Sequence, residues 1–112
     1  MGETIVFFPM YTTLASASTF PSDPYDLTRY LNATIEVLLI GILGTSPTAT
    51  AQPFGSSDLI TWTSLASAST LVAGTVSTIA LAQPPRYVRL VIVLGGTAPI
   101  ATLWAKAVAR TS

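Results

Sequence analysis

Prolines and glycines cut this chain into pieces of strand length before any piece can grow into a stable helix. Eight prolines and seven glycines are scattered through 112 residues. Proline lacks the backbone donor that a helix interior or central ladder needs, and glycine favours turns. Between these breaks the sequence is rich in Thr, Val, Ile and aromatic residues, which suit a pleated, half-buried surface. Eight segments read as strands: 4–8, ended by Pro9; 11–17, continuing it around a bend; 33–43; 48–54; 60–65; 76–81; 86–94; and 100–110. The stretch PSDPYDLTRY, from Pro21 to Tyr30, reads as a loop. There Pro21 and Pro24 fix the backbone, and Asp23 or Asp26 caps a turn.

Period-two alternation assigns faces within these strands. In RYVRLVIVL, Tyr87, Arg89, Val91 and Val93 share one face. Val88, Leu90, Ile92 and Leu94 form the other, which should be buried. In the last segment Trp104, Lys106, Val108 and Arg110 oppose Leu103, Ala105, Ala107 and Ala109. Trp62 is expected to enter the core from 60–65, and core packing is the first expectation for Trp104 too, with interface anchoring as the other use. Segment 33–43 differs from the rest. Leu38, Ile40 and Ile42 follow Glu36 on one face, and Ile35, Val37 and Leu39 line the other. Such a strand is either covered on both sides or offers one apolar face to a partner. Its run IEVLLIGIL is far shorter than the roughly 20 residues a membrane-spanning helix takes, so no transmembrane segment is expected.

About eight short strands separated by regular turns predict an all-β fold, a two-layer β-sandwich of jelly-roll type, with an immunoglobulin-like Greek key as the rival. One domain is expected over 1–112, with residues 1–10 able to leave it as an extended arm. TLASASTF at 13–20 is echoed by SLASASTL at 64–71. The echo reads either as composition or as two equivalent strand-to-loop positions or a small-residue oligomer seam.

Chemistry is scarce. The chain has no cysteine and no histidine, which removes disulfides, thiolate and imidazole metal ligands, and the usual general base near neutral pH. The five carboxylates are Glu3, Asp23, Asp26, Glu36 and Asp58. Only Asp23 and Asp26 are close in sequence, and their spacing is not that of an EF-hand calcium loop. Lys106 alternates with Trp104 in a strand, the setting of a surface lysine that lays its stem along apolar neighbours. Arg86, Arg89, Lys106 and Arg110 could share one edge, but a formal net charge of zero argues against nucleic acid as a partner. These residues predict no enzyme, no cofactor and no metal site. Charged residues make up only 9% of the chain, against about 25% in ordinary soluble domains. Much of the surface is therefore expected to be covered in the working state.

GSSDLITWTSL at 55–65, followed by RYVRLVI at 86–92, resembles the middle of discoidin or galactose-binding-like jelly rolls. Ser56 or Ser57, Asp58 and Trp62 match the first signature, with Leu59 where a glycine is usual; Arg86, Tyr87, Val88 and Arg89 match the second. The resemblance covers roughly the C-terminal half and implies a jelly roll with recognition loops at one end. No ligand-reading residues carry over. Local sequence of this kind is also similar to small β-sandwich structural proteins of tailed phages, including capsid decoration and auxiliary proteins. That resemblance implies a non-enzymatic virion protein that forms or decorates a capsid or related shell. Its expected partners are copies of itself, as a homo-oligomer such as a trimer, and a major capsid or other virion protein. The contact residues expected are Phe7, Phe8, Ile35, Val37, Leu38, Leu39, Ile40, Ile42 and Trp104. The alternative is a small carbohydrate-binding module, with Tyr25, Tyr30 and Trp104 as an aromatic platform beside Asp26.

Overall fold

Two strands run through the middle of the molecule, and each serves both of its layers. The structure, a computed structural model, describes residues 2–27, 30, 32–82 and 86–110. Its strands are β1 (Gly2–Ala15), β2 (Thr19–Pro21), β3 (Tyr25–Asp26), β4 (Asn32–Ser56), β5 (Thr63–Ser64), β6 (Ser69–Thr70), β7 (Val76–Ala82) and β8 (Tyr87–Arg110). β4 has 25 residues, which would reach about 80 Å if straight. The longest dimension of the molecule is 43 Å. β4 must therefore fold back on itself, and its antiparallel partner β8 folds with it.

The folds occur where the register of the two strands slips, between Leu43 and Thr48 on β4 and opposite them on β8. Gly44, Ser46, Gly96 and Ala98 all take positive φ there. A Cβ on Gly96 would stand 2.6 Å from the Ser46 carbonyl oxygen, and one on Gly44 would stand 3.0 Å from the Thr97 carbonyl oxygen. Only glycine lets the two bent backbones lie this close.

Each long strand thus has two legs. The first leg of β4 (32–43) pairs with the second leg of β8 (100–110), and the second leg of β4 (48–56) pairs with the first leg of β8 (87–95). β1 flanks β8 and β7 flanks β4 to complete a front sheet. β2 with β3 flanks β8, and β5 with β6 flanks β4, to complete a back sheet. Read in chain order, with β2–β3 and β5–β6 each taken as one interrupted strand, the front sheet runs first, eighth, third, sixth. The back sheet runs second, seventh, fourth, fifth. This is the strand order of a jelly roll, so the all-β sandwich expected from the sequence is the fold found.

The core lies between the sheets and alternates as the pleat requires. Ile35, Val37, Leu39, Leu103, Ala105, Ala107 and Ala109 come from the front sheet, and Ala49, Ala51, Val88, Leu90, Ile92 and Leu94 from the back. All are 2% exposed or less. The alanines of β8 let the sheets approach closely, while Leu103 and Leu90 fill volume.

Three expectations need correction. The stretch expected to be a loop holds the end of β2 and all of β3. Pro21 sits opposite Val91 on an outer strand, where a missing N–H is tolerated. Between the two pieces Ser22 keeps the edge intact: its N–H donates to the Leu90 carbonyl (2.8 Å), and its hydroxyl accepts the Leu90 N–H (2.9 Å). Conversely, 60–65 is not one strand; only Thr63–Ser64 pairs, and Ile60 is 83% exposed. The Asp58 carboxylate accepts the N–H groups of Ile60 and Thr61, both at 2.9 Å, so a local turn takes donors that a strand would have used. Lastly, part of the stretch 1–10, expected to be able to leave as an arm, is held in the sheet: residues 2–6 pair in unbroken register with β8 from Gly2–Arg110 to Val6–Lys106.

Candidate interaction surface

The outward side chains of the front sheet form an apolar wall. Across its middle, Val76, Leu38 and Trp104 stand in one cross-strand row, since Leu38 pairs with Val76 on one side and Trp104 on the other. Glu36 and Lys106 pair in the next row, and these five residues line a shallow depression. The Lys106 ammonium lies 4.8 Å from the centre of the Trp104 ring, with its charge held over the aromatic face. Toward the bend Leu43 pairs with Ile100; they are 70% and 44% exposed. A β-bulge at Ile40 shifts the register there, turning Ile42 toward the core and Leu43 outward. Val6 extends the wall onto β1, opposite Lys106. These large apolar side chains gather on one side of a small domain, which makes that side the candidate contact surface.

The wall sorts the residues singled out from sequence. Leu38, Ile40 and Trp104 are on it. Ile35, Val37, Leu39, Phe7 and Phe8 are not: all are buried in the chain's own core, the first three because the pleat turns them inward and the two phenylalanines at the register shift of β1 between Val6 and Phe8. Ile42 is partly buried against the same core. Trp104, first expected inside, stands on the outer face because Leu103 and Ala105 occupy the inward positions beside it. Val76, Leu43, Ile100 and Val6 were missed. Finding them required knowing which strands adjoin Leu38 and where the bulge reverses the alternation.

The aromatic platform of the sugar-binding alternative is not assembled. Tyr25 packs edge-on against Phe7, with ring centres 5.5 Å apart, and its hydroxyl donates to the Val6 carbonyl at 2.7 Å. Tyr30 is buried, Asp26 pairs with Tyr87 in the back sheet, and Trp104 belongs to the front wall. No cluster of three acidic side chains that could hold a metal ion occurs among the described residues.

The back sheet is organised differently. Arg89 lies over Trp62, its guanidinium carbon 4.2 Å from the ring centre, so the two sequence signatures pack on each other. Trp62 is therefore half-buried under a cation rather than inside the core. The preceding turn is built by Ser56 and Asp58: the Ser56 hydroxyl donates to the Asp58 carboxylate at 3.0 Å and accepts the Leu59 N–H at 2.9 Å. The N–H groups of Thr61 and Ile60, followed by the Ser56 hydroxyl, hold the Asp58 carboxyl below its ordinary pKa. Asp58 is thus a turn organiser, a role the sequence reading gave to Asp23 or Asp26.

No protein-family model and no curated protein sequence matches this chain. Its fold is shared with solved structures. The PBSX exported protein XepA superposes with a TM-score of 0.74 at 13% identity, over 98% of this chain and 37% of that one. VP2 of infectious bursal disease virus, in a subviral particle, gives 0.61 at 15% identity, over 98% of this chain and 32% of that one. The T=1 particle derived from infectious bursal virus gives 0.61 at 16% identity, over 98% and 31%. This chain spans about a third of the length of each, and at identities this low the likeness shows the fold alone.

Proposed function

We propose that this chain is a non-enzymatic structural protein of a virion, forming or decorating a capsid or related shell, with the front wall as the surface that neighbouring subunits cover. The observation that carries this reading is the wall: Leu38, Trp104, Val76, Leu43 and Ile100 face outward from a sheet whose inner face is already filled. A folded chain has no internal use for that much outward apolar surface, and burial is the ordinary way to satisfy it. The fold held in common with VP2, seen in a subviral particle, supports the setting. The phage resemblance of the 55–65 and 86–92 segments supports decoration of a bacteriophage shell. Specific contacts of roughly 1,200–2,000 Å² are usual for stable protein interfaces, and repetition over a symmetric shell multiplies weak ones.

Self-association tests the proposal. Sedimentation velocity across a concentration series is expected to show species that grow with concentration. Trp104→Glu should weaken that association by about tenfold or more, as loss of an aromatic anchor does, while leaving the β-sheet circular dichroism unchanged. A wild-type chain that sediments as a monomer throughout the series overturns the reading.

A further inference from the structure

The two edges of the front sheet are built unlike each other. β1 is interrupted: its register with β8 shifts between Val6 and Phe8 and again between Phe8 and Thr12. Pro9 stands between those points, Tyr11 takes a positive φ, and the Thr12 hydroxyl ties back to the Pro9 carbonyl at 2.6 Å. Bulges and proline are devices that stop another strand from adding to an edge. β7 has none of them. Its seven residues, VSTIALA, contain no charge and no proline, and they pair with β4 in unbroken register from Asn32–Ala82 to Leu38–Val76. Among the described residues no strand pairs with the far side of β7. An extended edge of this kind leaves a row of backbone donors and acceptors open to a further strand.

We propose that this edge pairs with the β7 edge of a second copy of the chain, antiparallel about a two-fold axis through Ile79. The pattern of β7 suits itself as partner. About that axis Ser77 meets the partner's Leu81 and Ile79 meets its counterpart, all on the core side, where Ile79 and Leu81 are already buried. On the outer side Thr78 meets the partner's Ala80. Inward side chains stay inward, small residues face one another outward, and no like charges are brought together. The two front sheets become one eight-stranded sheet, and the two apolar walls lie side by side on one face of it. An isologous contact of this kind is the usual construction of a two-fold dimer. The inference deepens the proposed function by naming the partner at one edge.

The chain has no cysteine, so introduced thiols report the register directly. In the two-fold arrangement residue 78 of one copy faces residue 80 of the other, within disulfide reach. An equimolar mixture of Thr78→Cys and Ala80→Cys chains, oxidised under mild conditions, is expected to give the mixed disulfide-linked dimer, at least tenfold above the dimer that either variant forms alone. In a second arm, Thr78→Lys/Ala80→Lys should abolish the dimer, and mixing it with Thr78→Glu/Ala80→Glu should restore a dimer containing one chain of each. No mixed crosslink and no charge-paired dimer, with both variants folded, overturns the inference. Each cysteine variant crosslinking to itself as fast as in the mixture does so as well, because it breaks the stated register. Crosslinking that persists in a Trp104→Glu background separates the edge from the wall. Crosslinking with no wild-type species beyond a dimer would uphold the edge and count against the wall, and Trp104-dependent species without the crosslink would count against the edge alone.

Discussion

The front and back sheets share their two central strands and a single core, yet they meet the outside in opposite ways. The front sheet is flanked by the longer strands β1 and β7, of 14 and 7 residues, and its outer wall carries Leu38, Trp104, Val76, Leu43 and Ile100. The back sheet is flanked by strand fragments of two or three residues. Its outward residues include Tyr87, Arg89, Gln52 and Thr50, with Arg89 stacked on Trp62 and the Gln52 amide donating to the Ala66 carbonyl. Both sheets bury aliphatic side chains against each other equally well, so the outer difference does not arise from core packing. It separates a face on which the chain's own side chains stack and bond from a face whose outward side chains are largely apolar.

That division can be broken by mutation. The largest effects belong to the shared interior: Leu103→Ala in the front sheet and Leu90→Ala in the back should each destabilise the fold by about 3 kcal/mol, measured by urea unfolding. Near-equal losses within one two-state transition support a common core, whereas a transition that splits in only one variant separates the sheets. The tryptophans probe the outer faces. Trp62→Ala removes the ring stacked on the Arg89 guanidinium and should reduce stability by about 1 kcal/mol without altering association. Trp104→Ala should behave the other way, with a stability change under about 1 kcal/mol and weakened association. Equal behaviour of the two variants would erase the contrast between the faces.

The smallest effect concerns pH at the back-sheet turn. The Asp58 carboxyl is held below its ordinary pKa by the Ile60 and Thr61 N–H groups and the Ser56 hydroxyl. Its contribution is therefore fully present above the unfolded aspartate value of about 3.9 and is lost as pH falls through the lowered folded value. Amide exchange at Ile60 and Thr61 should speed up only at the acid end of that window. Asp58→Ala should show the fast exchange at neutral pH, and unchanged exchange in that variant would remove Asp58 from the turn.

Much of this architecture can be read from the sequence, and the gaps have physical causes. RYVRLVIVL places Leu90 and Ile92 inside by simple alternation, and the proline and glycine breaks mark most strand ends. Alternation also places Leu103 opposite Trp104, but it does not say which of the two faces is the core. What alternation cannot supply is adjacency. Val76 joins Leu38 and Trp104 only because β7 lies beside β4, a pairing of residues far apart in the chain. The bulge at Ile40 reverses the faces beyond it, so Ile42 and Leu43 exchange the roles that strict alternation gives them. Segment 60–65 has the composition of a strand, but Asp58 captures its first donors. Tyr25 and Tyr30 look like platform residues until their burial is known.

The bend shared by β4 and β8 also governs how the molecule can assemble itself. The two strands form a doubled ribbon, creased once, whose register extends from Ser56–Tyr87 to Asn32–Arg110, so neither layer can form while the other waits for its central strands. Every pairing in that ribbon joins distant parts of the chain, a topology that slows folding and leaves the edges of β4 and β8 open to stray partners until the crease closes.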